Sequence, residues 1–160
     1  MIPSKEHARG GATVGVLNAL DAWESCVVLN LRLWCDSAEG QAQVRNAYRV
    51  SLSAECATRE CCAFETLVMT VTAYAQRPLV RHDVSCVCMG ADEGVFLHLI
   101  RTASEGHLND AALIATLLVG PAQAERVALM AGQVGACARK IHARSEEHFE
   151  KVPQNVVRLH

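Results

Sequence analysis

Residues 13–35 read TVGVLNALDAWESCVVLNLRLWC, and this stretch decides the fold class. Its apolar side chains recur every three or four positions, which is the period of an α-helix and places them on one face. Asp21, Glu24 and Arg32 fall mostly on the opposite side. The spacing therefore predicts one long amphipathic helix over residues 13–35. The apolar face consists of Val16, Leu20, Trp23, Val27, Leu31 and Trp34.

Start and stop signals divide the next part of the chain into further helices. Asp36 and Glu39 form a capping-box pattern for a second helix, and Thr58 is the predicted cap of a third. Pro78 disfavours helix in the residue before it, so the third helix is expected to end near residues 76–77. Residues 79–89 are predicted to form a loop or an extended segment.

The same reasoning predicts helices in the C-terminal half. Residues 90–93 suit a helix start, and Gly106 suits the C-terminal cap of that helix. A short apolar helix is expected before Pro121, which is itself typical of a first helical turn. Short loops between long helices favour antiparallel neighbours. We therefore predict an all-α fold, a compact bundle of about six helices.

The length of the chain, 160 residues, fits a single helical domain over residues 1–160. Residues 1–12 and 145–160 are expected to be mobile or docked tails. Hydrophobic residues make up 51% of the chain, which is more apolar surface than a small core needs to bury. This surplus predicts a homo-oligomer, with a dimer as the first expectation.

Charge and hydropathy exclude two classes of partner. The net charge of −2 and the aromatic content of 4% argue against nucleic-acid binding, which needs a basic face or stacking platforms. No apolar run approaches the roughly 20 residues that span a bilayer, so no membrane association is expected. Eight cysteines without a signal-like start are typical of a reducing cytoplasm and of mostly free, buried thiols.

One motif carries possible chemistry, His82-x-x-x-Cys86-x-Cys88. Residues two apart in an extended chain point to the same side, so Cys86 and Cys88 are placed to share a zinc ion. Cys62 is within reach if the loop folds back along the third helix, and His82 joins only if residues 83–85 form a turn. The predicted zinc ligands are Cys86, Cys88, Cys62 and His82, with Cys61 and His98 as alternatives.

Two other functions fit the same residues. A thiol-redox or thiol-sensing protein would use Cys86 and Cys88, with Cys88 activated by the following helix N-terminus. Nucleophilic catalysis would instead use Cys86 or Cys88 as the thiol and His82 or His98 as the base, but the sequence does not identify a third, orienting group. A structural oligomeric module without a site is the remaining alternative. No catalytic signature accompanies these residues, so the leading expectation is a non-enzymatic cytoplasmic protein that binds zinc or a partner through the loop of residues 82–88.

Overall fold

The computed structural model describes residues 10–151, with side chains described for residues 10–148. Within this range the chain forms six α-helices and one small antiparallel sheet, which confirms the all-α fold class. No helix in residues 10–151 combines the length and the apolar composition needed to cross a membrane. The helices are α1 (Ala22–Asp36), α2 (Ala38–Ser51), α3 (Ala54–Tyr74), α4 (Ala91–Ser104), α5 (Leu108–Ala115) and α6 (Pro121–Lys151), and the strands are β1 (Thr13–Val16) and β2 (Cys88–Gly90).

Helix α6 is the centre of the packing, because it contacts α1, α3, α4 and α5. The core is continuous through these helices, and Leu31, Phe64 and Leu99 are almost completely buried in it. Trp34 meets the ring of Phe64 edge-on, with 5.9 Å between the ring centroids. The apolar face predicted for residues 23–34 is therefore the face that α1 buries.

The prediction that the first helix begins at residue 13 is wrong. Thr13–Val16 form β1, which pairs with β2, and the helix begins only at Ala22. Val14 and Val16 are 59% and 43% exposed, so they do not belong to the buried helix face. Threonine and valine favour strands, and the side chain of Glu24 accepts the backbone N–H of Asp21 at 3.2 Å, which fixes the true helix start.

Two predicted caps are displaced by a few residues. Ser37, rather than Asp36, caps α2, since its hydroxyl accepts the N–H of Gly40 at 3.1 Å. Helix α3 begins after Ser53, and Thr58 lies inside it with its hydroxyl on the carbonyl of Ala54. At the start of α2 the short side chain of Ser37 reaches the backbone of the first turn, whereas Ser53 precedes α3 without a side-chain cap bond.

The C-terminal signals are confirmed. Gly90 precedes α4, and Gly106, with φ +89°, lies two residues after the end of α4. Pro121 is the first residue of α6. Helix α6 extends to Lys151, so the first part of the predicted tail of residues 145–160 is helical. Residues 1–9 and 152–160 of the two predicted tails lie outside the described residues.

Candidate functional site

The site is built around Arg32, whose side chain is completely buried although the sequence places it on the polar side of α1. All five N–H groups of its guanidinium donate hydrogen bonds to protein acceptors. Two go to the carboxylate of Glu93, at 2.7 and 2.9 Å. The other three go to the backbone carbonyls of Asp83 (3.1 Å), Cys86 (2.6 Å) and Cys88 (2.6 Å). One side chain of α1 therefore holds the whole segment that the sequence singled out.

Glu93, in the first turn of α4, completes this arrangement from the other side. Its two oxygens accept the backbone N–H groups of His82 (3.0 Å) and Gly90 (2.9 Å) in addition to the two bonds from Arg32. Although burial raises the pKa of Glu93, the hydrogen bonds from Arg32, Gly90 and His82 hold it below its usual value. The carboxylate is therefore ionised and bonded to both ends of the loop.

A second ion pair fixes the start of the loop. Arg77 binds Asp92 in a two-pronged pair, at 2.7 and 2.6 Å, and Asp92 also accepts the N–H of Val80 at 2.8 Å. Asp92 and Glu93 are neighbours in the first turn of α4. Two adjacent carboxylates at one helix N-terminus, which favours negative charge, therefore anchor residues 77–90 from both directions.

A turn at residues 83–86 brings His82 back to Cys86. The N–H of Ser85 donates to the side chain of Asp83 at 3.2 Å, and the N–H of Cys86 donates to the Asp83 carbonyl at 3.0 Å. The sequence made the participation of His82 conditional on such a turn, and the turn is present. As a result, Nδ1 of His82 lies 3.5 Å from Sγ of Cys86.

The contact of Nε2 of His82 fixes the tautomer of the ring, and so decides whether Nδ1 can accept a proton from Cys86. Nε2 lies 2.9 Å from the carbonyl oxygen of Gly11, and a carbonyl can only accept. Nε2 must therefore carry a proton, which leaves Nδ1 of the neutral ring as the acceptor for the thiol proton of Cys86. Gly11 is thus the orienting group that the sequence left unidentified.

The electrostatics favour transfer of that proton. The hydrogen bond from His82 is the main cause that lowers the pKa of Cys86, and the backbone N–H and the thiol of Cys88 lower it further. Reciprocally, the hydrogen bonds to Cys86 and to the Gly11 carbonyl raise the pKa of His82. Both shifts stabilise the same state, a Cys86 thiolate beside a His82 imidazolium.

Backbone packing confines the imidazole ring. A Cβ on Gly90 would lie 2.9 Å from Cδ2 of His82, and a Cβ on Gly10 would lie 2.4 Å from a carboxylate oxygen of Asp92. Only glycine lets the chain pass this close to the site at both positions. The ring of His82 is therefore held between the N-terminal segment and the start of α4.

The predicted zinc ligands fall into two places. His82, Cys86 and Cys88 share the loop, whereas Cys62 is exposed in a cleft between α2 and α3, near Arg49. The alternative ligand His98 is exposed on α4. Among residues 10–148 no group of three or more His, Cys, Asp or Glu side chains is placed to hold one metal ion. Zinc binding stays a prediction, which metal analysis of protein purified without chelator would test.

Three residues of the site, Arg32, Glu93 and Gly11, are not predicted by the sequence. Arg32 and Glu93 are separated by 61 positions, so no local pattern shows that they pair. A possible signal for Arg32 is its setting in Leu31-Arg32-Leu33-Trp34, where a lone charge interrupts an apolar run. Gly11 contributes only its backbone carbonyl, which no side-chain pattern reveals.

The functional residues must be assigned from this geometry alone. Comparisons of the chain with protein-family models, with curated proteins and with solved structures find no match.

Proposed function

We propose that this protein is a thiol-redox protein in which Cys86 reacts as a thiolate and Cys88 is its resolving partner. The observation that supports this proposal is the placement of Sγ of Cys86 at 3.5 Å from Nδ1 of His82, whose Nε2 is fixed on the Gly11 carbonyl. Reactive cysteines are those whose thiolate is stabilised and partly accessible, and Cys86 is half-buried and free.

The first step is the oxidation of Cys86 by a hydroperoxide. The thiolate attacks one peroxide oxygen, so an S–O bond forms while the O–O bond breaks. The leaving alkoxide or hydroxide takes the proton held on Nδ1 of His82 and departs as an alcohol or water. Cys86 is left as a sulfenic acid, and the peroxide has been reduced by two electrons.

The second step closes a disulfide with Cys88. The Cys88 thiol, two residues further along the chain, loses its proton and attacks the sulfenic sulfur. An S–S bond forms, the S–O bond breaks, and hydroxide leaves as water with the thiol proton. In sum, two thiols and one hydroperoxide give one disulfide, one alcohol and one water.

This disulfide would be easy to reduce again. Residues two apart in an extended chain are separated by about 6.6 to 6.8 Å between Cα atoms, at the upper limit of disulfide geometry. Strained disulfides have the higher reduction potentials typical of regulatory or catalytic pairs. The spacing thus favours a reversible redox role over a structural bridge.

Oxidation with hydrogen peroxide, followed by intact-mass and peptide mass spectrometry, tests the proposal. The wild-type protein should lose two hydrogens at Cys86 and Cys88, and Cys88→Ser should instead gain one oxygen on Cys86. Cys86→Ser should undergo neither change. Cys62→Ser, which removes an exposed thiol outside the loop, is the matched control and should behave as wild type. Faster oxidation of Cys62 than of Cys86, or an unmodified Cys86 in Cys88→Ser, would rule the proposal out.

A further inference from the structure

A cavity of about 250 Å³ opens between α1, α2, α3 and α6, and it is separate from the thiol site. None of its lining residues belongs to the segment 77–93. Its walls are mainly apolar, and three aromatic side chains, Trp23, Tyr48 and Phe64, contribute to them. Ala47 and Ala138 also line the cavity, and their small side chains leave space within it.

The hydroxyl of Tyr48 is a polar group in the wall of this cavity. The side chain is buried, with the residue only 6% exposed, yet its hydroxyl makes no hydrogen bond within residues 10–148. Burial is the main cause that raises the pKa of Tyr48, so the hydroxyl is neutral and can both donate and accept. The hydroxyl is not sealed from solvent, because within residues 10–148 no fully buried side-chain oxygen or nitrogen lacks a hydrogen-bond partner. A ligand in the adjoining cavity could therefore reach it and form a hydrogen bond.

The volume and the walls define the class of ligand. An apolar cavity of about 150 Å³ holds one benzene molecule, so 250 Å³ accommodates two fused rings with a small substituent. Aromatic walls favour an aromatic guest, since offset and edge-on ring pairs stabilise each other beyond the effect of burial. A flexible aliphatic chain would gain no such ring contacts and would lose more conformational entropy on binding.

We propose that this cavity binds a small bicyclic aromatic molecule with one hydrogen-bonding group, which pairs with the hydroxyl of Tyr48. The site is independent of the redox function proposed for Cys86. It would make the four-helix part of the molecule a receptor for an aromatic metabolite.

Calorimetric titration with 2-naphthol and with naphthalene tests this proposal. 2-Naphthol should bind saturably and about ten-fold more tightly than naphthalene, as one net hydrogen bond of about 1.4 kcal/mol implies. Tyr48→Phe keeps the shape of the cavity and removes the hydroxyl. It should weaken 2-naphthol binding by about the same factor and leave naphthalene binding unchanged.

Two alanines of α6 provide a matched pair of filling variants. Ala138 lines the cavity, whereas Ala143 is exposed and outside it. Ala138→Leu should abolish binding of both compounds, and Ala143→Leu should leave it as in wild type, with circular dichroism confirming that both variants are helical. Absence of saturable binding to either compound would overturn the proposal. Equal binding by the two leucine variants, or tight 2-naphthol binding by Tyr48→Phe, would also overturn it.

Discussion

At the scale of single residues, the function proposed for the chain rests on two atoms of His82. Nε2 donates to the Gly11 carbonyl, and Nδ1 faces the sulfur of Cys86. The motif was visible in the sequence, but the assignment of roles was not. The sequence predicts Cys88 as the activated thiol because it precedes a helix, whereas in the structure the histidine contacts Cys86. The difference arises from the turn at residues 83–86, which a helix-dipole argument does not include.

Arg32→Met should be the most damaging single substitution near the site. It would leave the Glu93 carboxylate buried without a counter-charge and three backbone carbonyls without donors. Breaking a buried ion pair in this way costs about 3–5 kcal/mol of the free energy of unfolding. Urea denaturation followed by circular dichroism measures the loss.

The control for Arg32 is Arg59→Met. Arg59 forms an ion pair with Glu60, but its side chain is 61% exposed. An exposed pair of this kind contributes little, so the free energy of unfolding should barely change. If the two methionine variants were equally stable, the organising role of Arg32 would have to be abandoned.

At the scale of elements, residues 22–36 were predictable and residues 13–16 were not. The apolar residues that predict α1 all lie within the helix itself, so the local sequence is enough to predict it. Strand β1 exists because β2 pairs with it from more than 70 positions away, with Val16 opposite Cys88. Non-local pairing of this kind overrides a local period. The observed cap positions differ from the predicted ones by a few residues, because several polar residues near each helix start could act as the cap.

The crossing of α4 and α6 depends on Gly135. A Cβ at this position would lie 2.6 Å from Cβ of Ser104 and 2.9 Å from the carbonyl of Ile100. Helix propensity alone would make Gly135→Ala stabilising by about 1 kcal/mol. Overpacking should reverse the sign and destabilise the protein by about 1–3 kcal/mol, as thermal unfolding would show.

A substitution at the neighbouring Ala136 measures the effect of helix propensity alone. Ala136 is exposed on the same helix, so Ala136→Gly reports the propensity alone and should cost about 1 kcal/mol. A Gly135→Ala protein more stable than wild type would mean that α4 and α6 do not cross this closely.

At the scale of the whole molecule, two buried carboxylates make stability depend on pH. The pKa of Glu93 and that of Asp92 lie below their usual values: burial raises both, but the hydrogen bonds from Arg32 and Arg77 outweigh it. The unfolded chain, with ordinary pKa values of about 4, therefore binds protons more readily than the folded chain. The stabilisation is complete above about pH 5, where the unfolded groups are also ionised, and it is lost as the pH falls through the folded pKa values.

Glu93→Gln tests this linkage, because the glutamine does not titrate. The free energy of unfolding of the wild-type protein should fall steeply between about pH 5 and pH 2, and the slope should be smaller in Glu93→Gln. Urea titrations at a series of pH values provide both slopes. Identical slopes in the two proteins would contradict the pKa shift described for Glu93.

The overall class of the molecule was predictable because helix periods and breakers are local signals. The site was only half predictable, since its thiols and histidine form a short motif but their supports come from α1, α4 and the N-terminal segment. The predicted homo-oligomer stays a prediction. Sedimentation equilibrium would confirm a dimer by a mass of about twice the 17.3 kDa of one chain, and a single-chain mass would contradict it.

The pH dependence of Cys86 alkylation tests the central claim most directly. Iodoacetamide rates would be measured by peptide mass spectrometry from about pH 5 to about pH 10, with the exposed Cys62 of the same chain as the internal reference. Cys86 should reach half its maximal rate below the ordinary thiol pKa of about 8.5, and His82→Gln should move that midpoint upward. A midpoint at or above the ordinary value, or one that is unchanged in His82→Gln, would contradict the account.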